Sequence, residues 1–245
     1  TLISLTMLLL CLTLSLAVSV QAFAPPHTAL SRHVSSLTKN YAFSKEQLIE
    51  MTKDYLTNPS PDLLDDEYVF RGPVIGPLVK KDLVKALKSV GNGLEDAFPD
   101  YELNAFGFTA DDPIEPNRVW YFVRPRGTFS GPFDHPINGR IEPTGEKLVG
   151  PPEARSMVWT EQGKIKHISV GYVVDRFTGD TTGGKGAVFG QYHVMGQGID
   201  GTVGSWSTRF VQYLATMIPD KIPKSWSKEE DIPVWWKDTR LGADP

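Results

Sequence analysis

The chain has 245 residues, with 25 Lys and Arg against 29 Asp and Glu, so its formal net charge is -4. This slight acidity argues against a nucleic-acid-binding protein, which would carry a basic patch or stripe. With 40% hydrophobic residues, the chain is expected to fold around a core, as one domain with extensions or as two small domains. The single cysteine, Cys11, excludes an intrachain disulfide and a cysteine metal cage.

The charge is unevenly distributed along the chain. No acid occurs before Glu46, whereas the first 45 residues include three bases, Arg32, Lys39 and Lys45. The following 200 residues therefore hold all 29 acids against 22 bases, a net charge of -7. The sequence thus divides into an acid-free leader and a more acidic body.

Residues 1–22 form an uncharged, largely apolar run. The run ends in Val20 and Ala22, small residues at the -3 and -1 positions of a signal-peptidase site, which predicts a cleavable signal peptide. An uncleaved anchor helix is the alternative, because about 20 apolar residues can span a bilayer. Several Ser and Thr residues dilute the run and favour cleavage.

Residues 23–42 are typical of a transit peptide, because they bear Ser, Thr and bases and lack acids. The junction Ala22-Phe23-Ala24-Pro25 resembles the cleavage motif of bipartite plastid presequences in algae with secondary plastids, such as diatoms. The resemblance implies delivery to the plastid stroma, with secretion or an endomembrane location as the alternative. Because Cys11 lies in the signal, the mature protein would need no oxidising compartment.

Two amphipathic helices are predicted at the start of the body. Ser44 and Gln47 have the spacing of a capping box, and apolar residues recur at helical intervals behind them, which predicts a helix over about 44–57. A second apolar face predicts a helix over 80–90, ended by the glycines that follow it and succeeded by a short helical turn.

From residue 101 the apolar period changes to two, which predicts strands. A short strand is also predicted over 67–71, and another around Phe129. The longer strands are predicted over 101–109, 118–124, 154–160 and 164–175, with a hairpin turn at 161–163. Helices followed by a run of antiparallel strands indicate an α+β fold.

Four short motifs occur in order over about residues 44–178 and resemble the SnoaL-like family of the nuclear transport factor 2-like superfamily. They are Phe98-Pro99-Asp100, Gly127-Thr128-Phe129-Ser130-Gly131-Pro132-Phe133, Pro143-Thr144-Gly145, and Gly163-Lys164-Ile165 before a strand ending at Asp175. The resemblance implies a curved antiparallel sheet wrapped by the N-terminal helices into a cone with an apolar pocket. It also implies a possible homodimer formed through the sheet.

The resemblance places a candidate catalytic residue at Asp175. In the cyclase members, an Asp near the end of the last long strand removes a proton next to a carbonyl, and a carboxylate in an apolar pocket gains the raised pKa that such a base needs. The alternative is a strand-end residue that pairs with Arg176 or caps the next turn. The family's pocket His is Phe129 here, which removes a proton carrier.

Aromatic and other polarisable side chains on the predicted strands could line an apolar pocket for a small apolar molecule. Core packing is the alternative for most of them. The candidates are Trp120, Phe122, Phe129, Met157, Trp159 and His167. Strand alternation places His167 and Asp175 on one face, but a bulge would swap the faces, so which face is concave stays open.

Residues 179–186 nearly match the phosphate-loop pattern G-x-x-x-x-G-K-[ST]. Gly186 stands where the magnesium-binding hydroxyl belongs, and no apolar helix is predicted directly behind it, so a nucleotide site is not expected. We predict a Gly-rich loop over 179–203. No spacing joins the histidines and acids into a metal site, and no metal or cofactor is expected.

The cone domain is predicted to cover 43–178, and an extension of 204–245 follows the Gly-rich loop. The extension begins with an amphipathic helix over 204–217 and continues into a tail with Trp226, Trp235 and Trp236. Such a tail is expected to pack across its own domain, or else to dock on a partner or a membrane face. No second apolar stretch of membrane-spanning length occurs.

Three functions are compatible with this sequence. The first is an enzyme that abstracts a proton from, isomerises or cyclises a small apolar carbonyl compound, and the absence of the pocket His weakens it. The second is a non-catalytic module that holds a similar ligand. The third is an interaction protein that docks through its sheet or its Trp-rich tail. A pocket filled by the chain's own side chains would favour the third.

Overall fold

The computed structural model describes residues 42–135, 138–197 and 224–237, together with the single positions 206, 210, 213, 214 and 217. Within these ranges, the side chains of 88–92 are not described. The described residues belong to one compact unit, residues 40–245. The predicted signal peptide, and all of the predicted transit segment except residue 42, lie outside the described residues.

Three α-helices occur in the described ranges: α1 (Lys45–Thr57), α2 (Lys80–Ala97) and α3 (Ala187–Val194). The predicted capping box begins α1. The Ser44 hydroxyl accepts the Gln47 N–H at 3.2 Å, and the Gln47 side chain accepts the Ser44 N–H at 2.7 Å. This prediction is confirmed.

Helix α2 continues through Gly91 and Gly93 to Ala97, so the prediction that these glycines end it was wrong. Gly93 lies against the ring of Phe133, and a Cβ atom at this position would come within 3.1 Å of that ring. The glycine at 93 therefore permits a close approach between the helix and a strand, at some loss of helix propensity.

Ten strands occur in the described ranges: β1 (Leu64–Arg71), β2 (Leu78–Val79), β3 (Ala105–Thr109), β4 (Arg118–Val123), β5 (Arg126–Thr128), β6 (Phe133–His135), β7 (Gly139–Ile141), β8 (Lys147–Val149), β9 (Glu153–Trp159) and β10 (Ile165–Val173). Six of them form one sheet in the order β2-β1-β10-β9-β4-β3, and β5–β8 and β6–β7 form two small ribbons. The mixed α+β class is confirmed. The sheet is not wholly antiparallel, because β1 runs parallel to β10.

Two predicted strands are shorter than expected. The strand predicted from 101 begins at Ala105, because Glu102 forms an isolated bridge with Arg126 and Asn104 has a φ of 51°. The strand predicted to reach Asp175 ends at Val173, after a register shift at Gly171, whose φ is 81°. The predicted alternation over 164–175 therefore does not hold along its whole length.

Residues Val119, Tyr121 and Val123 alternate along β4 and point to the face of the sheet on which α1 packs, here called the inner face. Their partners on β9 are Met157, Arg155 and Glu153. The buried hydrophobic residues of this core are Leu48, Leu64, Tyr68, Ala110, Val119, Tyr121, Val123, Met157, Trp159, Ile165 and Ile168. The chain's own side chains thus fill the inner face.

A second, smaller core lies around Phe129, which is completely buried. Phe98 packs on it with ring centroids 5.6 Å apart. The buried members are Ala97, Phe98, Phe129, Phe133, Leu148, Val194 and Met195. This core joins the end of α2 to the two ribbons and to α3.

Three of the four motifs that carry the family resemblance join one another through this second core. Asp100 accepts hydrogen bonds from the Thr128 N–H at 2.6 Å and the Thr128 hydroxyl at 2.7 Å. The Gly145 N–H donates to the Phe129 carbonyl at 2.8 Å. These motif residues therefore have a structural role in this chain.

Candidate functional site

The inner face carries one buried ion pair that the sequence did not single out. Glu153 is fully buried, and its Oε2 accepts the Arg155 Nε–H at 3.1 Å and an Nη2–H at 2.8 Å. Burial is the largest single influence and would lower the pKa of Arg155, but the Glu153 carboxylate, together with Tyr101 and Tyr121, outweighs it and the pKa is raised. The two charges therefore satisfy each other within the core.

The second carboxylate oxygen of Glu153 is also occupied. Glu153 Oε1 accepts the backbone N–H of Ala187, the first residue of α3, at 2.7 Å. A Cβ atom on Gly186 would lie 3.1 Å from the Glu153 carboxyl carbon, so only glycine leaves this approach open. Glu153 therefore binds the start of α3, and with it the loop that ends at Gly186, to the sheet. Its carboxylate does not face a ligand site.

The expectation that no helix follows the near-phosphate loop was wrong, because α3 begins directly after Gly186 and lies inside the predicted Gly-rich loop. A helix N-terminus attracts anions through its free N–H groups. Here the Glu153 carboxylate takes that place. Within the loop, Asp180 accepts the backbone N–H groups of Thr182 and Gly184, each at 2.8 Å. The chain's own carboxylates thus occupy the positions that a phosphate would need.

One buried hydroxyl on the inner side lacks a partner among the described residues. Tyr68 is completely buried and its phenol oxygen makes no hydrogen bond there. Burial raises its pKa well above the ordinary value, and the neighbouring Tyr55 and Tyr121 add to the rise. Burial likewise raises the pKa of Tyr121 to about 12. A ligand with one polar atom could satisfy Tyr68, provided that the core opened to admit it.

Asp175 lies two residues beyond the end of β10, partly exposed. Its Oδ1 accepts the backbone N–H of Phe177 at 2.7 Å, which closes a turn. Phe177 itself is 98% exposed. The described surroundings of Asp175 are therefore a strand-end turn, in keeping with the alternative role weighed from the sequence.

The six predicted pocket residues do not meet in one place. Met157 and Trp159 lie in the inner core, and Phe129 lies in the second core. The other three, Trp120, Phe122 and His167, lie on the opposite face of the sheet, here called the outer face, as the strand register shows. The structure thus separates them into three environments.

A row of residues crosses the outer face on four neighbouring strands, with aromatic side chains on three of them and Ala154 on the fourth. Phe106 on β3 pairs with Phe122 on β4, Phe122 pairs with Ala154 on β9, and Ala154 pairs with Tyr172 on β10. The Phe106 and Phe122 rings stack with centroids 5.8 Å apart. Their side chains, together with those of Trp120 and Tyr172, remain 38–50% exposed. We call Phe106, Trp120, Phe122 and Tyr172 the aromatic patch.

The same face is covered at β1 and β10 by the C-terminal tail. His167 is 6% exposed, with the Trp236 ring centroid 5.2 Å and the Trp235 centroid 6.3 Å from its own. The Trp235 indole N–H donates to the Glu67 carbonyl at 2.9 Å. The prediction that the Trp-rich tail packs across its own domain is confirmed for these two residues.

Farther back along the tail, Ser227 caps helix α2 from a distance. Its hydroxyl accepts the Val79 N–H at 2.9 Å and donates to the buried Asp82 carboxylate at 2.6 Å. Val79 is the N-cap residue and has no side-chain cap of its own. A serine 148 residues away in the chain thus supplies the cap.

Among the shallow clefts on the described surface are two that are lined by neither Tyr68 nor Asp175. One, of about 450 Å³, lies between Pro77 and the tail, and the other, of about 290 Å³, lies beside the start of α1.

Sequence reasoning missed the Glu153–Arg155 pair and the Ser227 cap, because both depend on contacts between segments far apart in the chain. The alternation of Glu153 and Arg155 with apolar residues was the one available signal.

No family model and no curated protein matches the chain. Among solved structures, it is similar to a protein described as a SnoaL-like polyketide cyclase from Jannaschia sp. CCS1, at 16% identity over 51% of this chain and 84% of that one, with a TM-score of 0.38. It is also similar to a phenazine biosynthesis-related protein from Pseudomonas aeruginosa, at 13% identity over 64% of this chain and 87% of the other, with a TM-score of 0.33. Both TM-scores lie below 0.5, so the fold described here rests on strand order and packing.

Proposed function

We propose that this protein is a SnoaL-like member of the nuclear transport factor 2-like superfamily that acts as a non-catalytic binding module, with the aromatic patch as its docking surface. One observation carries the proposal. The inner face, where the family resemblance would place a ligand, is filled by the chain's own side chains, whereas the outer face leaves a row of aromatic rings in water.

The aromatic patch has the composition of a protein-binding surface. Interface cores are enriched in Tyr, Trp and Phe, and exposed apolar patches rimmed by polar residues mark interaction sites. The rim is present here. Arg118 packs on the Trp120 ring at 5.2 Å from its centroid and donates from Nε to Glu115 at 2.8 Å. A second copy of this chain, forming a homodimer through the sheet, is one occupant that the patch would suit.

Native mass spectrometry of the protein purified from its source tests this proposal. The wild type is expected in a complex with a second protein or a second copy, and the double variant Phe106→Ser, Phe122→Ser is expected to lose it. Phe177→Ser is the matched control, because it removes an exposed aromatic ring outside the patch. A wild-type protein that stays monomeric, or a double variant that keeps its complex, would contradict the proposal.

A small apolar ligand held inside the fold is the second candidate, and the unpartnered hydroxyl of Tyr68 favours it. A buried hydroxyl without a partner costs about 1–3 kcal/mol, which a ligand carbonyl or hydroxyl would recover. The same mass spectra test this function. A small molecule retained by the wild type and lost from Tyr68→Phe would support it, and a wild-type protein of ligand-free mass would oppose it.

In an enzymatic form of this second candidate, Asp175 is the base that removes a proton from the ligand. Asp175→Asn keeps the hydrogen bond to the Phe177 N–H within reach while removing the proton acceptor. Turnover of an identified carbonyl substrate should then fall in the variant. Turnover at the wild-type rate would show that Asp175 is not the base.

Plastid delivery through the leader of residues 1–42 is a further part of this proposal, supported by the acid-free composition and by Phe23. Sequencing the N-terminus of the purified protein tests it. We expect a start beyond residue 22, and a start at or before residue 22 would contradict a cleaved presequence.

A further inference from the structure

Arg124 continues the outer face one step beyond the aromatic patch. Its backbone N–H donates to the Asn104 carbonyl at 3.3 Å, which extends the pairing of β3 with β4 by one residue past Val123. Because side chains alternate along a strand, Arg124 lies on the same face as Phe122, two residues before it. Its guanidinium therefore lies at the edge of the patch, at the end of β4 opposite to Arg118.

The fold holds this guanidinium in place without neutralising its charge. Arg124 Nη2 donates to the carbonyl oxygens of Thr178 and Gly179, each at 3.2 Å. Among the described residues, these two carbonyls are the guanidinium's hydrogen-bond partners, and no carboxylate pairs with it. Nε is buried without a partner there, whereas Nη1 is not buried and its donors are unused. A fixed positive charge with unused donors thus lies beside the exposed rings.

The acids at the other end of the patch are already engaged. Glu115 accepts the Arg118 Nε–H at 2.8 Å. Asp112 accepts the Trp120 indole N–H at 2.8 Å and lies 3.8 Å from Arg118 Nε. A second copy of this chain would therefore bring no free carboxylate from these two acids to Arg124. The charge of Arg124 favours a different partner, which supplies its own acid.

The size of the patch favours a short segment over a folded surface. Between Phe106 on β3 and Tyr172 on β10 the row crosses three strand spacings, roughly 14 Å, which about four residues of extended chain would cover. The four rings are 38–50% exposed and together offer roughly 350 Å². An interface between folded proteins buries about 800 Å² on each partner.

We infer that the aromatic patch and Arg124 together bind a short acidic segment of a different protein. An apolar side chain of the segment lies on the rings, and a neighbouring carboxylate accepts hydrogen bonds from the Arg124 guanidinium. Such a charge-assisted bond adds specificity to contacts that the rings alone would make with many apolar groups. The inference rests on the docking function proposed for the patch and names the chemistry of its partner.

Selection from a displayed library of random peptides on the immobilised full chain tests this inference. Binders that also bind the double variant Phe106→Ser, Phe122→Ser are removed first. We expect the remaining peptides to carry Asp or Glu close in sequence to an aromatic or aliphatic residue. In fluorescence anisotropy, the most enriched peptide should bind Arg124→Gln at least about tenfold more weakly than the wild type. Arg126→Gln is the matched control, because it removes an exposed arginine outside the patch.

A peptide whose acid is replaced by its amide separates a lost contact from a disturbed fold. It should bind the wild type about tenfold more weakly than the acidic peptide, yet bind Arg124→Gln no worse, because the two changes remove the same contact. Enriched peptides without acids, or an amide that weakens binding to both proteins alike, would overturn the inference. The docking function would still stand if the double variant lost the binding.

Two further outcomes separate the inference from the proposed function. If no peptide were enriched but native mass spectra showed a complex that the double variant loses, the partner would be a folded surface and the inference would be wrong. If there were neither an enriched peptide nor such a complex, both the inference and the docking function would be wrong.

Discussion

Acidification should destabilise the folded protein through His167. Its ring lies on the outer face under Trp235 and Trp236, with Nδ1 2.8 Å from the Val69 carbonyl oxygen. Burial is the largest influence and lowers its pKa from 6.5 to about 4, and nearby Arg118 acts in the same direction. The folded state therefore holds His167 neutral at pH values where the unfolded chain binds a proton.

The sign and size of the effect follow from that difference. Because the folded pKa lies below the unfolded one, the stabilisation is fully present above pH 6.5 and is lost as the pH falls towards 4. A gap of about 2.5 pH units corresponds to about 3 kcal/mol of unfolding free energy. Most of this loss, about 2.5 kcal/mol, should occur between pH 7 and pH 4.5.

Urea unfolding of the wild type and His167→Gln at both pH values isolates this contribution, since carboxylates titrate in both proteins. Glutamine keeps a donor for the Val69 carbonyl and has no proton to gain. The wild type should lose about 2.5 kcal/mol more than the variant on acidification. If both proteins lost the same unfolding free energy, the reasoning would be refuted. His167 would then be solvated in the folded protein, or the tail would move away from it.

Three further predictions concern stability and are read from urea unfolding. Ser227→Ala removes the cap on Val79 and the partner of Asp82, and should lower the unfolding free energy by about 2 kcal/mol. Ser130→Ala, on the surface, should leave it unchanged. Equal losses in the two variants would show that Ser227 does not cap the helix. Tyr68→Phe removes an unpartnered buried hydroxyl and should stabilise the protein by up to about 1 kcal/mol; a loss would reveal a hidden partner. Gly131→Ala would place a Cβ atom 1.9 Å from the Asp96 carbonyl oxygen and should cost about 3 kcal/mol or more; a smaller cost would mean that the loop can move.

Local sequence patterns predicted the elements that depend on local forces. The capping box at Ser44 and the turn at 161–163 were expected, and both occur, because their partners lie within four residues of each other. Helix α2 shows where local rules fail. Glycine has a low helix propensity, so Gly91 and Gly93 were expected to end the helix. The close contact of Gly93 with Phe133 overrides that preference.

The candidate site was less predictable because it depends on which face each strand presents. Trp120 and Met157 are both strand residues with similar surroundings in the sequence, yet one lies on the outer face and the other in the inner core. The pairing of β4 with β9, which sets Val119 opposite Met157 and Trp120 opposite Ser156, decides this, and no local pattern encodes that register. The Trp-rich tail was predictable in composition, but its position over His167 was not.

The Trp120 ring of the aromatic patch is fixed by its neighbours, and this affects how strongly the patch can bind a partner. The Trp120 indole N–H donates to Asp112 at 2.8 Å. Arg118 packs on the Trp120 ring and donates from Nε to Glu115. Arg118 in turn donates to the Ser156 hydroxyl at 2.5 Å, which ties the network to β9. A Trp120 ring fixed in this way loses little conformational entropy on binding, so a partner gains more from contact with it than from a mobile side chain. Trp235 and Trp236 cover the outer face at His167, whereas Tyr172 farther along β10 stays exposed, so a partner of the aromatic patch would lie beside the tail on the same face.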